Sequence, residues 1–217
     1  MTTDQAQPIR KTSERAQPIQ KTSERGAATR TALLAAARHV FTTEGYAQAG
    51  VTGIVNRAGA SVGSLYHHFS GKADLYLTLF EELNNEQADR TRRAVRAARD
   101  AGITDPQQLF LVGAREYLDV CMEQRELLRL FVSGDGPPGF DLLRQRRIAD
   151  WVGMNTEFFV RSGEPLDEAV AIVMTGAIGL CAAELSLSAD ATRTRKIADG
   201  VIEVLSRLER PPSKRAR

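Results

Sequence analysis

Gly45-Tyr-Ala-Gln-Ala49-Gly50-Val51-Thr-Gly-Ile54-Val55-Asn-Arg-Ala58-Gly59-Ala60-Ser61-Val62-Gly63-Ser64-Leu65-Tyr66-His67-His68-Phe69-Ser-Gly-Lys72-Ala-Asp-Leu75 is the stretch on which the fold turns. Val51, Ile54, Val55 and Ala58 recur at the three- and four-residue steps that make one apolar stripe on a helix. Gly59, between Ala58 and Ala60, supplies the residue without Cβ that a tight turn between two helices needs. Ser61 is suited to cap a second helix, because its hydroxyl can take an otherwise unpaired amide of the first turn. On that second helix Leu65 and Phe69 point back to the core. Val62, Gly63, Ser64 and Tyr66 face outward, and small residues at the tip let backbone approach base edges. The segment therefore reads as a helix-turn-helix for DNA.

The run Ala58-Gly59-Ala60-Ser61-x-Gly63-x-Leu65-Tyr66-x-His68-Phe69-x-x-Lys72-x-x-Leu75 resembles the signature of TetR-type transcriptional regulators, and Phe41-Thr-Thr-Glu44-Gly45-Tyr46 is similar to the end of that family's first helix. The likeness covers about fifty residues at fixed spacing; beyond them only length and an all-helical pattern agree. The sequence departs from the family where Ser or Thr commonly caps the first helix of the pair, having Ala49 and Gly50 instead. It also carries Gly53 inside that helix and Val62 where a long polar side chain is frequent. The resemblance implies a homodimer on a palindromic double-stranded DNA operator, released by a small-molecule effector that enters a C-terminal bundle and tilts the connecting helix. Val62, Gly63, Ser64 and Tyr66 are the candidates for base contact or groove-facing positions, and the resemblance implies phosphate contacts from Tyr66, His67, His68 and Lys72. Phosphate contacts set register and most of the affinity, while base contacts choose sequence.

The 217 residues allow one large or two small domains. Net charge is only +2, but residues 1–74 hold nine Lys/Arg against five Asp/Glu, and the remainder is mildly acidic. A basic N-terminal third on an acidic body suits a nucleic-acid module joined to a part with another task. Cys121 and Cys181 are too few for a disulfide scaffold and have no CxxC spacing, which points to a reduced, cytoplasmic setting. No apolar segment opens the chain. The longest uncharged run, Ala169 to Ala183, falls short of the ~20 residues needed to cross a bilayer, so a buried helix and no membrane are expected.

Ala6 to Arg15 is repeated almost unchanged at Ala16 to Arg25, and two such polar copies cannot stack as a solenoid. The expectation is a disordered basic arm over 1–25, either a neutral duplication or an electrostatic aid through Arg10, Lys11, Arg15, Lys21 and Arg25. A helix-turn-helix domain over 26–71, a ligand-binding and dimerising bundle over 72–210, and a basic tail over 211–217 complete an all-α chain of about nine helices. Helix 1 starts near Ala27, Ser70 caps a long helix 4, Pro106 opens helix 5, Gly134 to Gly139 form a loop, and Pro165 starts helix 8.

In the bundle, Phe110, Tyr117, Cys121 and Trp151 are candidates to line a ligand cavity, as are Phe131, Met154, Phe158 and Met174; each could equally be plain core. Helix 8 is apolar all round, with Gly176, Gly179 and Ala183 small enough for another helix to press close. Together with Val201 and Leu205 of helix 9 these form the expected dimer interface. Nothing in the chain spaces a nucleophile with a base or gathers metal ligands, and adjacent His67 and His68 diverge on a helix. No enzyme, cofactor or metal is expected. The competing readings are an activator or a ligand-independent regulator, and, further off, an enzyme.

Overall fold

The computed structural model describes residues 17–163 and 167–208, with side chains from Glu24 onward in the first helix. Among them are nine α-helices and no strand: α1 (Gln17–Glu44), α2 (Val51–Ala58), α3 (Val62–His68), α4 (Lys72–Asp100), α5 (Pro106–Glu123), α6 (Arg125–Val132), α7 (Phe140–Arg161), α8 (Glu168–Leu187) and α9 (Ala191–Ser206). Helix α1 begins ten residues earlier than the sequence reading placed it, so the second copy of the repeat is helical from Gln17. Pro18 lies in the first turn, where it costs no hydrogen bond, and Gln, Lys and Glu that follow are good helix formers. The rest of the expected arm, the tail from residue 209 and Pro165 lie outside the described residues.

Helices α1 to α3 share a core of Leu33, Ala37, Phe41, Ile54, Leu65 and Phe69, all buried. From it α4 runs 29 residues, roughly 43 Å, and its far half packs along α5. Gly113 on α5 sets the closeness of that packing. A Cβ there would meet Thr91 Cγ2 at 3.1 Å and Val95 Cγ2 at 3.2 Å on α4. Arg90 of α4 clamps the pair, with Nε 2.6 Å from Glu116 Oε1 and a two-pronged contact to Glu123. The hydrogen bond to Arg90 holds the Glu123 carboxyl below the usual carboxylate range.

Behind α5 stand α8 and α9, and α7 packs chiefly on α8. Helix α8 is the one described helix long and apolar enough to cross a membrane by length and composition. It contacts α5, α6, α7 and α9, and less than half of it is buried within the chain. The sequence reading expected a buried helix with another helix pressed against it; within this one chain its cover is partial. Ile172, Val173, Leu180 and Leu187 lie exposed on its outer side, Leu180 at 75%.

Candidate nucleic-acid interface and ligand cavity

The turn of the helix pair is built by local chemistry. Gly59 adopts φ 62°, ψ 29°, the left-handed conformation that ends α2, and its amide bonds back to the α2 carbonyls of Asn56 and Val55. Ser61 caps α3 as expected, its Oγ accepting from Ser64 N at 3.1 Å. The same Oγ lies 3.0 Å from Ser64 Oγ, so Ser64 is partly engaged within the protein. Val62 is 46% and Tyr66 57% exposed, and Gly63 and His67 are also open to solvent. His68 is half-buried, its ring 4.9 Å from that of His67 and 6.5 Å from that of Phe69. The exposed edge of α3 is thus a small, nearly uncharged surface.

Lys72 is placed differently from the expectation of an open phosphate contact. Its Nζ donates to Tyr46 O at 2.8 Å and stands 4.3 Å over the Tyr46 ring, so the ammonium holds the α1–α2 corner against the start of α4. Ser70 does not cap α4 either. Gly71 occupies the cap position, and Asp74 reaches back to accept from Ser70 N at 2.8 Å and Ser70 Oγ at 3.2 Å.

The reader is joined to the body by an aromatic knot around Tyr76, which is fully buried. Its ring meets those of Phe41, Tyr46, Phe131 and Phe140 at 4.9–5.7 Å, all four in edge-type contacts. The Tyr76 hydroxyl donates to Asp135 O at 3.2 Å, and burial pushes its pKa upward. Asp135, in the loop between α6 and α7, turns its carboxylate the other way and accepts from Ala47 N at 3.0 Å. A Cβ on Gly45 would stand 2.5 Å from Asp135 Oδ2, so this corner needs glycine for space as well as for its φ of 82°. Arg38 of α1 adds a second tie by donating to Gln124, which donates to Glu86 Oε2 at 3.2 Å.

Farther along α4 a cavity of about 220 Å³ opens between α4, α5, α7 and α8. Phe110, Tyr117, Trp151 and Met154 line it, as the sequence suggested. The Tyr117 and Trp151 rings meet edge-on at 4.9 Å. Four other candidates do not line it. Phe131 belongs to the knot, stacked on Tyr76 and Phe80. Phe158 packs on Phe159 beneath Arg99, and Met174 is core at 1% exposure. Cys121 lies one layer behind and accepts from Gln87 Nε2 at 3.4 Å; burial pushes its thiol up to about 12. Apolar spacing could not separate cavity wall from core, because both are the inner faces of the same helices.

The polar lining went unforeseen. Asn84, Gln87 and Thr175 belong to the five polar side chains that are buried among the described residues, and all three face the cavity. Helical periodicity was the available signal: Asn84 and Gln87 share the inner stripe of α4 with Leu79 and Leu83.

The expected interface also divides. Leu205 is buried inside the chain at 3%, so it serves the protomer's own core. Gly176, Gly179, Ala183 and Val201 are half-buried. At Gly176 and Gly179 an added Cβ would meet nothing within 4 Å.

A helix-turn-helix reader fixed to a long helix, with a helical body behind, defines an all-helical DNA-binding regulator. Residues 33–79 match the family model described as bacterial regulatory proteins, tetR family, and the chain is similar to regulators of transcription. It is 33% identical over 106 residues to the HTH-type transcriptional activator FasR of Mycolicibacterium smegmatis, a match covering 49% of this chain and 46% of the relative. The chain therefore matches about half the length of that curated relative. The fold is similar to the fatty acid degradation regulator FadR from Bacillus halodurans, with TM-score 0.68 and 17% identity over 87% of this chain and 97% of that one. A gamma-butyrolactone receptor described as ArpA-like has TM-score 0.58 and 22% identity over 89% and 94% of the two chains.

Proposed function

We propose that the protein is a ligand-responsive repressor that binds a palindromic operator as a homodimer and is released by a small molecule. The observation that carries this reading is the cavity against α4, the same helix whose first turns anchor the reader. A ligand that wedges α4 from α5 moves the reader at its other end. Two readers must stand about 34–36 Å apart to enter successive major grooves, so a modest tilt is enough. Within the reader, Val62, Gly63 and Ser64 approach bases, and Tyr66, His67 and His68 contact phosphates. Lys72 adds charge nearby while holding the corner.

The dimer forms through α8 and α9. Val173, Leu180 and Leu187, with Val204 of α9, make an exposed apolar face, and at Gly176, Gly179 and Gly200 a neighbouring backbone can come close. Leu180→Glu removes nothing from the protomer core. It should convert the dimer to monomer in sedimentation, keep helix content and lose operator affinity. A Leu180→Glu protein that stays dimeric and binds normally moves the interface elsewhere. With this face covered by a second copy, α8 is the centre of a cytoplasmic dimer.

The repressor reading is tested by selecting an operator from random DNA, then screening small molecules for its release and following a reporter with and without the protein. One observation favours a second reading: the relative with 33% identity is named an activator. Reporter output that falls when the gene is removed would favour activation.

A further inference from the structure

Asn84 and Gln87 are buried to 8% and 3% exposure, one turn apart on α4, and both line the cavity. Each amide is bonded on one side only. Asn84 Nδ2 donates to Phe80 O at 2.6 Å, and since a carbonyl only accepts, the orientation of that amide is fixed with Oδ1 free. Gln87 Nε2 donates to Cys121 Sγ at 3.4 Å, which leaves Oε1 free as well. No donor among the described residues reaches either oxygen. Both residues line the cavity, so an otherwise apolar wall offers two acceptors to whatever enters it. Across the cavity Asn155 Nδ2 donates to Thr175 Oγ1 at 2.9 Å, so that wall is also polar and uncharged. The charged lining residue, Arg92, has its guanidinium largely exposed and paired with Asp89, which puts it at the solvent end. Apart from Thr91, the rest of the wall is aromatic and aliphatic.

We propose that the cavity takes a neutral, largely apolar molecule that carries a hydrogen-bond donor, a hydroxyl or an N–H, and presents it to the amide oxygens of Asn84 and Gln87. A carboxylate fails there twice: it brings an acceptor to two acceptors, and it buries a charge with no cation to meet it. The space is sufficient for a small ligand, since a cavity of roughly 150 Å³ already holds benzene. This inference rests on the effector reading of the same cavity and adds the chemistry of the ligand.

Trp151, the chain's single tryptophan, lines the cavity and serves as an internal reporter. The full-length protein is titrated with 1-octanol, its isomer 1-methoxyheptane and octanoate, following Trp151 fluorescence. The alcohol should bind about tenfold more tightly than the isomeric ether, the value of one buried hydrogen bond, and more tightly than octanoate. Asn84→Leu should erase the preference for the alcohol while the ether still binds. Gln87→Met serves as the second variant if Asn84→Leu does not fold. Equal affinity for alcohol and ether, or tightest binding of octanoate, overturns the proposed chemistry while leaving the cavity as an effector site. If none of the three perturbs Trp151, the effector reading itself fails, and this inference with it.

Discussion

The reader and the body of this chain are both small helices around an apolar core, yet they depend on sequence in opposite ways. In the reader, the groups that matter are neighbours in the chain. Gly59 turns it, Ser61 caps it three residues before Ser64, and Leu65 and Phe69 anchor it within eleven residues of that turn. In the body, the cavity gathers Asn84, Tyr117, Asn155 and Thr175 from four helices, none of them near another in sequence. The lesson is that a DNA-reading surface can be specified locally and kept, while the body's site depends on how whole helices stack.

The comparison breaks first at the reader's core. Leu65 is fully buried in the core that the reader's helices share. Leu65→Ala should cost roughly 2–5 kcal/mol and abolish DNA binding. If the body holds its site without an intact reader, despite the knot that joins them, 1-octanol titration of Trp151 in that variant remains unchanged. Loss of both signals together would show one cooperative unit instead.

The joint between the regions is sharpened by Asp135→Ala. Losing the acceptor for Ala47 N should cost about 1–2 kcal/mol, the range for a partly exposed charge-assisted hydrogen bond. Operator affinity should stay within a few-fold, while the effector concentration needed for release rises. Unaltered release in gel shifts would remove the α6–α7 loop from the coupling path.

Two positions in the reader test binding against architecture. Tyr66→Ala should weaken binding to all DNA sequences alike without moving the melting temperature, because the ring is over half exposed. Lys72→Ala should lower stability by about 1 kcal/mol, since it releases the Tyr46 carbonyl and ring. Equal melting temperatures for Lys72→Ala and the parent would count against the holding role. Gly53, by contrast, is exposed in the middle of α2 with open space where a Cβ would go. Gly53→Ala should therefore stabilise the reader by about 0.5–1 kcal/mol, read as a higher melting temperature.

The smallest effect belongs to the α4–α5 clamp. The Glu123 carboxyl is held below its unfolded pKa by Arg90, so its contribution is present above about pH 4.3 and is lost as pH falls through the folded value. Glu123→Gln should lower the melting temperature by about 1–3 °C at pH 7, as for a solvent-facing ion pair, and by progressively less as pH falls below about 4.3. A difference that does not shrink on acidification would assign the loss to packing rather than charge.

By itself the sequence determined the all-helical class, the turn and cap of the reader, and which ring residues are apolar enough to reach an interior. Those follow from φ at Gly59, the hydroxyl at Ser61 and the 3.6-residue period, none of which needs a distant partner. It could not divide the apolar stripe into core, knot and cavity, because Phe131, Met174 and Trp151 are alike in periodicity and differ only in which helix faces them. It could not see that Leu205 is buried within the protomer or that Lys72 is engaged inside it, for the same reason: a side chain's partner can come from another element, here Tyr46 for Lys72. The start of α1 at Gln17 and the pair of free amide oxygens at Asn84 and Gln87 were likewise decided by the fold. A buried polar group declares its role only when the packing around it leaves one side bonded and the other open.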